Sequence, residues 1–106
     1  MKWCAIACYR PKRGKKRTLL AILEKHASTL SAEKLISERG SIVSRAKDGT
    51  IVEIFEWRST AAKEQAHRNP AVRQLWEQMM ECCEFPGLGD LEEAARPFAA
   101  FEVLES

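Results

Sequence analysis

The 106-residue chain is predicted to fold as one α+β domain, a four-stranded antiparallel sheet with both helices packed on one face. Three observations predict it. Apolar residues recur at helical spacing in two long segments, one starting at Lys16 and one running from about Thr60 to Cys83. Short apolar runs surround and separate them in the order strand, helix, strand, strand, helix, strand, the split βαβ or ferredoxin-like plan. Between the two middle runs stands Asp48-Gly49, a hairpin dipeptide that makes those strands antiparallel neighbours.

Each element follows from its residues. Trp3–Tyr9 is apolar at both parities, as in a strand buried on both faces. Arg10–Arg17 holds six basic residues with Pro11 and Gly14 among them, and reads as a solvated turn. From Lys16 the apolar positions Leu19, Leu20, Ile22, Leu23, Ala27 and Leu30 predict the first helix, to Leu30 or on to Leu35. His26 falls on its inward stripe. Ser41–Arg45 is a short strand, and Thr50–Trp57 is the next, with Ile51, Glu53, Phe55 and Trp57 sharing one face and Val52, Ile54 and Glu56 the other.

Ser59 is suited to cap the second helical segment, which Asn69-Pro70 interrupts and restarts. After the break, Val72, Leu75, Trp76, Met79, Met80 and Cys83 form an apolar stripe that packs on a sheet. Pro86–Gly89 ends the helix, Asp90 caps a short turn through Ala95, and Phe98–Leu104 is the last strand.

Composition narrows the function classes. Seventeen Lys and Arg against fifteen Asp and Glu leave a formal charge of +2, too balanced for a nucleic-acid or membrane-surface protein. No run approaches membrane-spanning length, and the basic cluster follows rather than precedes the first apolar run, so a soluble, cytoplasmic protein is expected. Cys4 and Cys8, if on one strand, lie about 13 Å apart at ~3.3 Å per residue, too far to share an ion. With Cys82 and Cys83 adjacent to each other, the cysteines are expected to be small buried side chains in a reducing compartment, and no metal site is predicted.

With both helices on one side, the other face of the sheet is bare. Its apolar residues exceed the patch that soluble monomers tolerate, which predicts a two-fold dimer packed sheet against sheet. Glu53 and Glu56 stand out among apolar neighbours, since a buried carboxylate needs a partner; Arg45 across the hairpin is one.

At Ile54-Phe55-Glu56-Trp57-Arg58-Ser59, Ala62, Ala66-His67-Arg68-Asn69-Pro70-Ala71-Val72, Leu75-Trp76 and Cys83-Glu84-Phe85 the chain resembles the antibiotic-biosynthesis-monooxygenase-like proteins of the dimeric α+β-barrel superfamily. His26–Leu30 and Asp48–Glu53 resemble them too, so the likeness spans nearly the whole chain. It implies the fold, a homodimer, and a pocket between helices and sheet. Relatives include cofactor-independent oxygenases of anthrones and quinols, and haem-degrading enzymes.

For this chain the resemblance implies a cofactor-independent monooxygenase, or a binder of a small aromatic or quinone-like molecule, with no cofactor. His67 and His26 are the candidate bases, because imidazole titrates near ~6.5. Trp57 and Trp76 are candidate ligand platforms, with Arg45, Arg58 and Glu53 as candidate polar contacts. Haem binding or degradation is a further, less favoured reading: the resemblance implies for it an asparagine on the first strand and a tryptophan before a histidine on the second helix, whereas Trp3–Tyr9 has no asparagine and His67 precedes Trp76. The alternative from another class is a non-catalytic dimeric module, structural or stress-related.

Overall fold

The structure, a computed structural model, describes residues 1–104. Strand β1 (Trp3–Pro11) leads through a turn at Gly14 into helix α1 (Lys16–Ala32), followed by the hairpin of β2 (Ile36–Arg45) and β3 (Ile51–Trp57). Helices α2 (Thr60–Ala66) and α3 (Pro70–Cys82) come next, then the two-residue β4 (Cys83–Glu84), two 3-10 turns (Leu88–Asp90 and Glu92–Ala95), and β5 (Glu102–Val103).

The helices begin and end where their side chains dictate. Ser59 Oγ accepts from the Ala62 N–H at 3.0 Å, and Asn69 Oδ1 accepts from those of Ala71 and Val72, with Pro70 in the first turn of α3. Helix α1 closes on Lys34 at φ +58°, where the Leu35 N–H returns to the Leu30 carbonyl. A lysine thus holds the left-handed position usually given to glycine.

The sheet is antiparallel throughout, in the order β4-β1-β3-β2-β5. Among the described residues it has five strands rather than the expected four. The strand expected over Phe98–Leu104 pairs only at Glu102–Val103, beside β2, while β4 takes two positions beside β1. Pro97 and the exposed run up to Ala100 carry the chain across the sheet before it can pair. Strand β2 is longer than expected and bulges between Ile36 and Ser41, where Gly40 adopts φ +71°.

On the helix-bearing face Tyr9, Ile51, Leu19, Ile22, Leu23, Leu75 and Met79 form one core, and Leu30, Ile36, Phe55, Trp57, Ala66 and Val72 the other. Met80, expected on the packing stripe of α3, is exposed, because the stripe is wider than the strip of helix that meets the sheet. The outer face is only partly bare, which corrects the expectation. Leu88, Leu91, Ala94 and Phe101 cover Cys8, Ala46 and Val52 from the chain's own carboxyl-terminal part. What stays open is a row across three strands, in which Ile6 and Ile42 flank Ile54 in register. Ile6 is 46% and Ile42 52% exposed.

Cys4 is exposed, whereas Cys8, Cys82 and Cys83 are buried free thiols. Burial raises the Cys8 thiol, and burial together with neighbouring Cys82 pushes Cys83 up to about 11.

Candidate functional site

A cavity of about 350 Å³ lies between the sheet and helices α1 and α3. Its walls are Ala5, Ala7 and Tyr9 from β1, with Ile6 at the rim, Phe55 and Trp57 from β3, His26 from α1, His67 at the end of α2, Trp76 and Met79 from α3, and Phe85 just past β4. The period-two geometry of β1 and β3 sends their odd-numbered residues to this face, and Ala5 and Ala7 leave room that larger side chains would fill. Beyond Arg10 and Pro11 the outer edge of β1 has no strand beside it among the described residues.

At one wall a chain of hydrogen bonds runs through the protein interior. The Trp76 indole Nε1–H donates to His26 Nε2 at 3.1 Å. His26 Nδ1 lies 3.2 and 3.3 Å from the two carboxylate oxygens of Glu53. The Tyr9 hydroxyl donates to Glu53 Oε1 at 2.8 Å. His26 is 2% exposed and Glu53 is fully enclosed.

Donor chemistry fixes the protons. An indole nitrogen only donates, so His26 Nε2 carries no hydrogen and the imidazole proton sits on Nδ1, facing Glu53. Glu53 then accepts from both His26 and Tyr9, which is how a buried carboxylate is tolerated. Burial and the adjacent carboxylate hold the Tyr9 hydroxyl far above its ordinary titration range, so it stays protonated and can donate to Glu53.

His67, at the carboxyl end of α2, is exposed and packs edge-on against Trp76, ring centres 5.1 Å apart. Phe55 packs edge-on against both His26 and Trp57, at 6.1 and 4.9 Å. Four of the seven residues singled out from the sequence, His26, His67, Trp57 and Trp76, therefore line one cavity. Glu53 stands behind His26 rather than on the wall.

Arg45 lies elsewhere. It sits opposite Glu102 on β5 and forms an ion pair with it, so the suggested partnership of Arg45 with a β3 carboxylate is replaced by one across the other edge of β2. Glu56 meets Arg39 at 3.3 Å on the outer face. Arg58 is exposed and borders a surface depression with Lys2, Glu38 and Arg39. Tyr9 was missed as part of the site. Its parity with Ala5 and Ala7 was the available signal, but a tyrosine in an apolar strand reads equally as core.

No protein-family model matches the sequence, and no curated protein sequence matches it. Solved structures do. The Mycobacterium tuberculosis protein Rv0793 superposes with a TM-score of 0.69 over 81% of this chain and 87% of its own, at 22% identity. A Chloroflexus aurantiacus protein, named as a candidate antibiotic biosynthesis monooxygenase, gives 0.64 over 80% and 84% at 18% identity. A conserved protein from Methanosarcina mazei gives 0.69 over 81% and 87% at 13%. The chain has the α+β fold of these structures.

Proposed function

With that shared fold as premise, we propose that the protein is a cofactor-independent monooxygenase, or a binding protein, for a small hydroxylated or quinone-type aromatic. The observation that carries the reading is an apolar cavity walled by Phe55, Trp57 and Trp76 that also contains an imidazole backed by a buried carboxylate. Flat rings complement such walls, and the cavity volume suits a ligand of two or three fused rings.

The chemistry follows from His26 and Glu53. The acidic proton of an anthrone-type ligand passes to His26 Nε2, and the imidazolium formed is stabilised by Glu53 facing Nδ1. The apolar walls keep water from quenching the resulting anion. The anion gives an electron to dioxygen, the two radicals combine at carbon, and protonation yields a hydroperoxide. Loss of water leaves a carbonyl, so one oxygen atom enters the product and the other leaves as water. His67 lies against Trp76 as a second imidazole on the wall.

The test is oxygen uptake with an anthrone, alongside melting curves. The wild type should consume oxygen, and His26→Gln should slow uptake by about 100-fold or more while remaining folded. Neither uptake nor stabilisation by anthrones and quinols would reject the reading.

One observation favours the rival, a non-catalytic dimeric module. Both His26 nitrogens and the Glu53 carboxylate are already satisfied inside the protein, as in a structural network. That reading expects no stabilising ligand. In either case we infer a homodimer formed through the Ile6–Ile54–Ile42 row, whose apolar surface a second copy would cover two-fold symmetrically.

A further inference from the structure

We propose that Trp76 is a removable cover on His26, and that the cavity selects aromatic ligands bearing a free hydroxyl, whose O–H takes the place of the indole N–H on His26 Nε2. The inference rests on the ligand reading above and deepens it by naming what the ligand must present.

The cavity wall carries few polar atoms. Ala5, Ala7, Phe55, Met79 and Phe85 offer no hydrogen-bonding side chain beyond a weak thioether. The Tyr9 proton is committed to Glu53, and the phenol oxygen left behind is a weaker acceptor than an imidazole nitrogen. The Trp57 and Trp76 indoles can only donate. Apart from His67 on Trp76, the strong acceptor on this wall is therefore His26 Nε2, and Trp76 occupies it.

The two partners in that bond are held very differently. His26 is fixed from behind by both oxygens of Glu53, which are in turn fixed by Tyr9, and is 2% exposed. Trp76 is only partly buried: one side of its ring packs at the margin of the two cores and it also meets exposed His67 edge-on. If the bond opens, the indole can turn toward solvent and find water for its N–H, while the imidazole stays in place with its lone pair aimed into the cavity. A ligand hydroxyl restores the bond that His26 loses; a methyl ether or a quinone carbonyl cannot, because each only accepts.

The probes are 1-naphthol and 1-methoxynaphthalene, compared by calorimetry on the wild type and Trp76→Phe, which keeps an aromatic wall but removes the donor. Wild type should bind the naphthol more tightly than its methyl ether. In Trp76→Phe, naphthol binding should tighten by about three- to tenfold, since no hydrogen bond has to be displaced, with the ether unchanged. A long-range nitrogen-15 spectrum of the free wild type should show His26 protonated at Nδ1 and not at Nε2. Equal binding of the two probes, or equal weakening of both by the substitution, overturns the cover while leaving the cavity as a ligand site. Failure of both probes to bind removes the cavity reading and the cover with it. An Nε2–H tautomer overturns the cover without any ligand present.

Discussion

The Tyr9 hydroxyl donates to Glu53 Oε1 across 2.8 Å, tying β1 to β3 on the buried face of the sheet. Ala7 sits directly opposite Glu53, so Tyr9 reaches it diagonally, two residues further along the strand. Both residues project toward the helices, and His26 descends from α1 onto the same carboxylate. One acidic group thus joins both central strands to a helix.

Removing that acid should be costly. Glu53→Ala leaves the Tyr9 hydroxyl and His26 Nδ1 without their acceptor in a sealed interior, and is expected to lose about 3–5 kcal/mol in urea unfolding. Tyr9→Phe removes one donor and leaves the His26 bond intact, so about 1 kcal/mol is expected. A Glu53→Ala protein within 1 kcal/mol of wild type, roughly the weight of a single hydrogen bond, would show that the network holds little together.

The hairpin carries a pH signature. Asp48 is held below its ordinary 3.8, chiefly by the Thr50 N–H that donates to Oδ1 at 2.8 Å, with Arg10 at 3.5 Å adding to it. A carboxylate with a lowered folded-state pKa contributes stability above the unfolded value and loses it as pH falls through the folded one. Wild type should therefore melt higher than Asp48→Asn at neutral pH, and the gap should close only as pH drops below 3.8. A gap independent of pH down to that range would assign the effect to shape rather than charge.

The end of α1 offers a gain. Lys34 occupies a left-handed backbone conformation at φ +58° that a side chain disfavours. Lys34→Gly should raise stability by about 1 kcal/mol, a few degrees in Tm for a domain of this size. Asn69→Ala should do the reverse by about 1 kcal/mol, because two amides at the start of α3 lose their acceptor.

Self-association is expected through the isoleucine row. Light scattering at micromolar concentration should return twice the chain mass, and Ile54→Lys, with a charge placed between Ile6 and Ile42, should return it once. A monomeric wild type would contradict the pairing.

What could be read in the sequence was what depends on local period. The stripe of α1 placed His26 inward, the parity of β3 put Glu53 with Ile51 and Phe55, and Asp48-Gly49 set the hairpin. What could not be read depended on contacts between residues far apart. Tyr9 and Glu53 are 44 positions apart, and His26 and Glu53 are 27, so no spacing rule connects them. The short last strand escaped for a related reason: Phe98–Leu104 has a strand's composition, but Phe101 is used to cover Cys8 and Val52. Arg45 was drawn to a β3 carboxylate because the hairpin is local, whereas its actual partner, Glu102, arrives from the far end of the chain.

The most direct measurement follows the three tryptophan indole N–H signals in a nitrogen-15 correlation spectrum during titration with 1-naphthol. Trp57 and Trp76 line the cavity, while Trp3 donates to Thr60 Oγ1 at 2.9 Å and is absent from its walls. A saturable shift of Trp76 and Trp57 with Trp3 unmoved is the expected result. Three unmoved signals, or movement of Trp3 alone, would contradict a ligand site between helices and sheet.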